Sequence, residues 1–269
     1  MTMIRPVGDH LREWRQRRRM SQLDLATEAD ISARHLSFLE TGRSQPSRDM
    51  LLRLAGRLDV PLRERNTLLV AAGFAPVFPE RPMNDPALAS ARAAVDLVLK
   101  GHEPFPAIAI DRHWTLIAHN RLVPLLLAMA DEDLRTPPIN VLRLSLHPKG
   151  LAPRIANLGE WREHLFARLR RQIDVTADPV MIVLMRELAS YPKPRGRHPS
   201  QNGTEHGVGG VVVPLRLATP NGALSFISTT TVFGTPIDIT LSELALETFF
   251  PADPATADAL HRMAKNARG

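Results

Sequence analysis

The sequence of 269 residues contains no cysteine. Disulfides, thiolate metal sites, iron–sulfur clusters and cysteine nucleophiles are therefore excluded, and nothing indicates an oxidising compartment. Long apolar runs are also missing, because the longest, PLLLAMA and VMIVLM, fall far short of the roughly 20 residues that a spanning helix needs. The N-terminal residues MTMIRPVGDH contain no apolar signal segment. These features predict a cytoplasmic protein without a membrane partner.

Lysine is scarce, with 4 lysines against 30 arginines. The formal net charge is +6 and is divided evenly on either side of Glu80, so it permits a nucleic-acid partner without requiring one. The local density of arginine is more informative than the net charge, because five arginines fall within eight positions near the N-terminus. They are Arg12, Arg15, Arg17, Arg18 and Arg19. Such a cluster fits either a DNA-binding surface or a solvated helix face.

Capping and turn residues divide the first eighty residues into short helices. The first helix is predicted over 9–19, and Ser21 can begin a second helix with a capping-box-like arrangement. Asp30 can adopt the left-handed conformation that ends this helix, and Ser32 can cap a third helix that ends at Gly42. The pattern predicts two helices joined by a tight three-residue turn.

The third helix has outward residues that do not suit a core. Small, hydrogen-bonding and cationic side chains at a helix N-terminus fit the DNA major groove, where arginine can donate two hydrogen bonds to guanine. The candidate DNA-binding residues on this helix are Ser32, Ala33, Arg34, His35 and Ser37. Ser37 and Arg43 are placed for phosphate contacts. Glu40 is predicted to support the scaffold by pairing with an arginine of the first helix.

Residues 11–69 resemble the lambda-repressor/Cro-type helix-turn-helix domain of the xenobiotic-response-element family. The resemblance is carried by SQLDLATEADIS, HLSFLETGRSQPS and LLRLAGRLDV. It implies five helices, a contact from Gln22 to phosphate or a base, and a third helix lying in the groove. Asp30 stands where the family usually has glycine. The competing interpretation is a helix-turn-helix used only for packing or protein contacts.

Proline-rich sequence then separates two predicted domains. The stretch GFAPVFPERPMNDP indicates a semi-rigid connector, and a helix is predicted over 87–99. We therefore divide the chain into a DNA-binding domain at 1–73, a linker with a connecting helix at 74–104, and a second domain at 105–269. The last of these begins with AIAID and WTLIAHN, which predict a hairpin turning at Asp111 and Arg112.

The remainder of the second domain alternates helices and strands. Helices are predicted over 121–129, 139–146, 153–173 and 179–191, and further helices near Leu241 and after Pro254. VVVPLRLAT and ALSFISTTTVFG predict two strands joined at the turn PNG. The fold class is therefore α+β multidomain, with an all-α helix-turn-helix domain followed by a PAS-like sensor domain whose sheet is covered on one side by helices.

A second resemblance covers residues 105–261. The blocks WTLIAHN, LRLSLHPKGLAPRIANLGEW, HLFARLRRQ and GALSFISTTTVFGTPIDITLSELALETFFPADPAT resemble the ligand-binding domain of MmyB-type transcription regulators. The resemblance implies a PAS-like domain that holds an apolar small molecule, with fatty acids as the leading candidate. The candidate ligand-binding residues are Trp114, Leu116, Phe226 and Ile227, each of which also fits an ordinary core.

Other motifs are interpreted as structural. None of the ten histidines forms a metal-binding pair with a glutamate between, so we expect no metal. GVGG is not followed by a helix, and the hydroxyls of STTT lack a nearby base, so we expect no catalytic residues and no enzyme. His147 and Arg154 are either structural polar groups or contacts to a ligand carboxylate, and the structural role is favoured.

Together these features predict a transcription regulator that binds operator DNA and responds to a small apolar ligand. We expect a homodimer with recognition helices roughly 34 Å apart on a nearly palindromic operator. The alternative is a ligand-independent dimeric repressor whose second domain serves only for oligomerisation. An enzyme fused to a DNA-binding module is a third class, but the sequence shows no convergent set of titratable groups.

Overall fold

The structure is a computed structural model that describes residues 5–193, 212–220 and 222–266. Its helices and strands in chain order are α1 (Val7–Arg17), α2 (Gln22–Glu28), α3 (Ala33–Glu40), α4 (Arg48–Arg57), α5 (Leu62–Ala71), α6 (Ala89–Gly101), β1 (Ala107–Ile110), β2 (Leu116–His119), α7 (Val123–Leu127), α8 (Val141–Leu146), α9 (Leu158–Thr176), α10 (Pro179–Ser190), β3 (Leu215–Thr219), β4 (Gly222–Val232), α11 (Ile239–Ser242), β5 (Ala245–Pro251) and α12 (Pro254–Asn266). No helix in these ranges is long and apolar enough to cross a membrane. GVGG and the centre of the PNG turn lie outside the described residues.

Backbone contacts divide the chain into two compact units. The first unit extends to Pro82 and includes the short segments Asp174–Thr176 and Thr235–Ser242, whereas the rest forms the second unit. The first unit therefore contains α1 to α5 and α11, and α6 belongs to the second unit. This boundary lies beyond the predicted end of the first domain at residue 73.

Leucine side chains fill the core of the first unit. Leu11 and Trp14 of α1, three positions apart, are both buried, as the helical spacing predicts. Leu36 and Leu39 have the same spacing on α3 and are fully buried against them. The five helices predicted in the first eighty residues are confirmed, with α1 beginning two residues earlier than expected.

The second unit contains one antiparallel sheet with the strand order β2-β1-β5-β4-β3. The predicted hairpins β1–β2 and β3–β4 are confirmed. The prediction of a helix starting near Leu241 is wrong beyond Ser242, because the next residues form β5 at the centre of the sheet. Its sequence ALETFFP does not alternate between apolar and polar residues, so periodicity does not identify it as a strand.

The two faces of the sheet pack against different helices. On one face, Ile108 belongs to a core that includes residues of α7, α8, α9 and α10. On the other face, Ala109 and Leu246 pack with Val95 and Leu99 of α6. Successive strand residues point to opposite faces. Helices therefore pack on both faces of the sheet, whereas the sequence predicted helices on one side only, and a cavity lies beneath those of the first face.

Gly8 of α1 lies against the end of α3. A Cβ atom at Gly8 would be 2.5 Å from the carbonyl oxygen of Leu39 and 2.7 Å from that of Glu40. Because both obstacles are backbone atoms, a side-chain rotamer change cannot relieve the clash. We expect Gly8→Ala to lower the free energy of unfolding of the first unit by about 1–3 kcal/mol. Urea unfolding followed through the indole NMR signal of buried Trp14 measures the loss.

Gly56→Ala is the matched control for this prediction. Gly56 lies in α4 and an added Cβ atom would have no atom within 4 Å. Since alanine favours the helix over glycine, this change should raise the free energy of unfolding by about 0.5–1 kcal/mol. Equal stabilisation by both substitutions would contradict the close approach of α1 to α3.

Candidate nucleic-acid interface and apolar cavity

Side-chain caps and one left-handed residue fix the geometry of α2, the turn and α3. Ser21 and Asp24 form a reciprocal capping box at the start of α2. Asp30 has a φ of 54° in the turn, and the Ser32 hydroxyl then accepts a 3.1 Å hydrogen bond from the backbone N–H of His35. Asp30 thus adopts the conformation that the sequence predicts for it. The start of α3 is held by contacts local to the sequence.

A buried carboxylate holds the other end of α3. Glu40 is only 2% exposed and accepts two hydrogen bonds from Arg15 of α1, at 2.6 and 2.9 Å. It also accepts a 2.9 Å hydrogen bond from the side chain of Gln22 in α2. The predicted pairing of Glu40 with an arginine of the first helix is confirmed. One side chain therefore links three helices.

The exposed face of α3 and the turn that follows this helix carry the cationic residues expected for DNA contact. The guanidinium of Arg34 is exposed and lies 5.4 Å from the ring centre of Phe38, and that of Arg43 lies 6.0 Å from the same ring. Within the described residues neither arginine forms an ion pair. Because their charge is not neutralised internally, both remain available to a phosphate or a base edge.

The other candidate DNA-binding residues lie near this face and differ in their solvent exposure. Ala33 and Ser37 are half-buried on α3, and Ser32 is exposed at its cap. His35 is also half-buried, so it points outward less fully than Arg34 does. The side-chain amide nitrogen of Gln22 donates to Glu40, and the side-chain carbonyl oxygen of Gln22 is its remaining acceptor.

The second unit contains an apolar cavity of about 120 Å³ between the sheet and its covering helices. Its apolar lining comes from β1, β2, β3, β4, β5 and α7 to α9. The lining includes Ile108, Trp114, Leu116, Leu142, Trp161, Leu217, Phe226 and Phe249. Ser145, Arg168 and Glu247 are the polar side chains that also line it. A lining of this composition suits a small apolar molecule with one polar end.

The charged residues of the cavity wall form a closed cluster. Arg168 of α9 donates to both carboxylate oxygens of Glu247, and one of these bonds measures 3.2 Å. Thr230 accepts a 3.0 Å bond from Arg168 and donates a 2.8 Å bond to Glu247. The register places Thr230 directly opposite Glu247, so both side chains share one face of the sheet. The guanidinium also lies 4.7 Å from the ring centre of Trp114.

The structure brings three of the four candidate ligand-binding residues to this cavity. Trp114, Leu116 and Phe226 line it. Ile227 does not, because it pairs with Phe250 and strand alternation turns it to the opposite face from Phe226. Sequence reasoning missed Arg168 and Glu247. The signal that could have identified Glu247 is a single acid inside an otherwise apolar run.

The polar residues interpreted as structural lie elsewhere. His147 accepts a 3.1 Å hydrogen bond from the backbone N–H of Lys149 through Nδ1, and its ring packs edge-on against Tyr191. Neither His147 nor Arg154 is among the residues that line the cavity. Across the described part of the chain, no group of three or more histidine, aspartate or glutamate side chains is arranged to hold a metal ion.

A helix-turn-helix unit with an unneutralised cationic face, followed by an α+β unit with an apolar cavity, defines a DNA-binding transcription regulator with a ligand-binding domain. Comparison with family models supports both parts. The MmyB-like transcription regulator ligand binding domain matches residues 91–263, and a helix-turn-helix model matches residues 11–65. The first match covers more than half of the chain, and the protein belongs to the family of MmyB-like transcription regulators. A search of curated proteins gave no match.

The charge state of Glu40 should control the stability of the first unit. Burial alone would raise the pKa of Glu40, but hydrogen bonds from Arg15 and Gln22 and the charges of Arg15 and Arg12 outweigh it and lower the pKa below 4.5. The stabilisation is therefore complete above pH 4.5 and is lost as the pH falls through the lowered folded value. We expect Glu40→Gln to lower the free energy of unfolding by about 3 kcal/mol at pH 7.

Urea unfolding of the Glu40→Gln variant at several pH values tests this expectation through the Trp14 indole signal. The difference from the natural protein should shrink as the pH falls below 4.5, because glutamine does not titrate. Glu28→Gln removes the same charge from an exposed position of α2 and should change the stability by less than about 0.5 kcal/mol. A Glu40→Gln defect that is independent of pH would contradict the assigned role of the ion pair.

Proposed function

We propose that this regulator binds an operator sequence through α3 and that occupation of the cavity in the second unit changes this binding. The observation that carries the DNA-binding part is the exposed side chain of Arg34 in the first turn of α3. The two ends of this helix are fixed by Ser32 and Glu40. A fixed helix orientation allows a side chain to select a base at a defined position.

We further propose that two copies bind one operator. A single short helix reads only a few base pairs, and a two-fold dimer doubles this number while requiring a nearly palindromic site. The recognition helices of the two copies then lie roughly 34 Å apart, one turn of DNA. The DNA phosphates would be contacted by Arg43 and Ser37, and the base edges by Arg34, His35 and Ala33.

For the second unit we propose a PAS-like sensor that holds a small apolar molecule. The support is the strand order β2-β1-β5-β4-β3 and the apolar cavity between one face of this sheet and the helices α7 to α9. Fatty acids are the ligand class that the family resemblance suggests. A bound ligand would change DNA affinity only through unequal affinity for the DNA-competent and DNA-incompetent states.

Arg34→Ala tests the proposed groove contact. We expect it to weaken binding to the operator, located by footprinting the region upstream of the gene, by about 10- to 100-fold. Binding to unrelated DNA should change little, because the lost contact is to a base. Arg43→Ala should instead weaken binding to both DNAs and reduce the salt dependence by a slope of roughly one. Fluorescence anisotropy over a salt series measures both effects.

Arg57→Ala is the matched control for these measurements, because it removes an exposed arginine from the last turn of α4. It should leave the ratio of specific to non-specific affinity unchanged. Unchanged operator binding by Arg34→Ala would show that α3 does not read the sequence in the proposed way.

The proposed stoichiometry has its own test. Analytical ultracentrifugation with a labelled operator should give two protein chains per DNA fragment. Inserting five base pairs between the two half-sites should weaken binding strongly, because the insertion rotates the half-sites onto opposite sides of the DNA helix. A monomer both in solution and on DNA would refute the dimer proposal while leaving the assignment of Arg34 open to its separate test.

A further inference from the structure

The loop between β4 and β5 belongs to the first unit, although both strands belong to the second. Backbone contacts group residues Thr235–Ser242, which include α11, with the five helices of the first unit. We call this segment the strap. Residues 233–234 join it to β4, and residues 243–244 join it to β5. Each of these connections extends to about 11 Å at most, so the strap and the two strands cannot move far independently.

A buried ion pair and two hydrogen bonds hold the strap on the linker that follows α5. Asp238 is only 1% exposed, and its carboxylate accepts a 3.0 Å hydrogen bond from the guanidinium of Arg81. The hydroxyl of Thr240 donates to the carbonyl oxygen of Arg81 at 2.6 Å. The backbone N–H of Ile239 donates to the carbonyl oxygen of Pro79 at 2.9 Å. Because a buried carboxylate needs a cationic partner, the docked position of the strap depends on the pair of Asp238 and Arg81.

The linker is in turn fixed to the helices of the first unit. Asn66 of α5 donates a 2.7 Å hydrogen bond to the carbonyl oxygen of Phe78 and accepts from the backbone N–H groups of Val77 and Phe78. Ile239 of the strap is 2% exposed, and α11 lies beside α5. α5 contributes Leu69 to the core that also contains residues of α3. The strap is therefore connected to α3 through contacts within one packed unit.

The strands on either side of the strap carry part of the cavity wall. Phe226 of β4 and Glu247 and Phe249 of β5 line the apolar cavity. The ladder between these strands continues to the pair of Val232 and Ala245, close to the strap. A molecule in the cavity that displaces Glu247 or Phe249 therefore moves strands that are joined directly to the strap.

A chain of polar contacts also leads from the β5 side of the strap to the cavity. The guanidinium of Arg112 lies 3.7 Å from the carboxylate of Glu243, which follows the strap. The carbonyl oxygen of Arg112 accepts a 2.6 Å hydrogen bond from the side chain of Gln172. Gln172 in turn accepts a 2.9 Å hydrogen bond from the indole N–H of Trp114, which lines the cavity.

We propose that the strap couples the cavity to operator binding, and that Asp238 is the positioning residue that keeps the strap docked on the linker. With the strap docked, a displacement of β4 or β5 acts on the linker and on α5. With the strap released, the two units respond independently. The inference rests on the proposed function, because it names the element through which occupation of the cavity changes DNA affinity.

Coupling between two sites is reciprocal, so operator DNA should change the cavity even without a ligand. Two of the three tryptophans, Trp114 and Trp161, line the cavity, whereas Trp14 lies in the core of the first unit. In ¹⁵N–¹H spectra of the full chain, operator DNA should shift the indole signals of Trp114 and Trp161. Trp14→Phe and Trp161→Phe assign the three signals.

Asp238→Asn releases the ion pair but keeps Oδ1, which accepts a 2.9 Å hydrogen bond from the backbone N–H of Thr240. We expect the DNA-induced shifts of the cavity signals to fall to less than about a third of their natural size. Arg81→Gln should have the same effect, and Arg81→Lys, which keeps the charge, should restore most of the response. Arg63→Gln is the matched control, because it removes the ion pair of Glu80 from the same linker and leaves the strap contacts in place.

An insertion separates docking of the strap from transmission through it. Two glycines between Ser242 and Glu243 lengthen the connection to β5 while the contacts of the strap with the linker remain. This variant should lose the DNA-induced shifts as Asp238→Asn does. The same insertion after Thr136, which is exposed, should preserve them.

The reverse direction is measured with tetradecanoate, a representative of the fatty acids that the family resemblance suggests. It should change the operator affinity of the natural protein by about fivefold or more, and that of Asp238→Asn by less than about twofold. Circular dichroism and the Trp14 signal establish that each variant is folded.

The inference is overturned if operator DNA leaves the cavity signals of the natural protein unchanged. It is also overturned if folded Asp238→Asn and the insertion after Ser242 respond to DNA or tetradecanoate as the natural protein does, a result that leaves the proposed regulation intact. Cavity signals that respond to DNA only while the strap is docked support the inference. If tetradecanoate has no effect alongside that response, the proposed ligand class is contradicted and the coupling is not.

Discussion

The presentation of α3 depends on the ion pair between Arg15 and the buried carboxylate of Glu40. The N-terminal cap at Ser32 fixes where α3 begins, but a cap alone does not set the angle between helices. Glu40 provides that constraint, because it binds side chains from α1 and α2 at the same time. Gly8 makes this arrangement possible, since only a residue without a side chain lets α1 approach the last carbonyls of α3.

The second unit uses the same chemistry for a different purpose. Glu247 and Arg168 also form a pair with two hydrogen bonds, yet this pair lines a cavity instead of a helix junction. A buried ion pair contributes little net stability compared with well-packed apolar residues. At the cavity wall, the pair provides hydrogen-bonding groups while keeping the net charge of the wall at zero.

The sequence predicts features that depend on neighbouring residues and misses those that depend on distant ones. Ser21, Asp30 and Ser32 act within four residues of their own positions, so the caps and the turn are predictable. The pair of Arg168 and Glu247 joins positions 79 residues apart, and no local pattern indicates it. The central strand β5 was mistaken for a helix because burial on both faces removes the alternation that identifies strands. Strand alternation places Phe226 and Ile227 on opposite faces of the sheet, but sequence alone could not show which of these faces borders the cavity.

Several arginines form hydrogen bonds within the protein. Arg18 donates to the backbone carbonyls of Leu58 and Asp59 at 2.7 and 2.9 Å, and Arg162 donates to the last carbonyls of α10. Arginine can span two acceptors because its donors form a planar fork, which lysine lacks. Most arginines of the cluster near the N-terminus therefore form contacts that hold α1 and its neighbouring helices together. DNA contacts are better sought among cations that lack an internal acidic partner, and on α3 this criterion selects Arg34, which net charge could not distinguish.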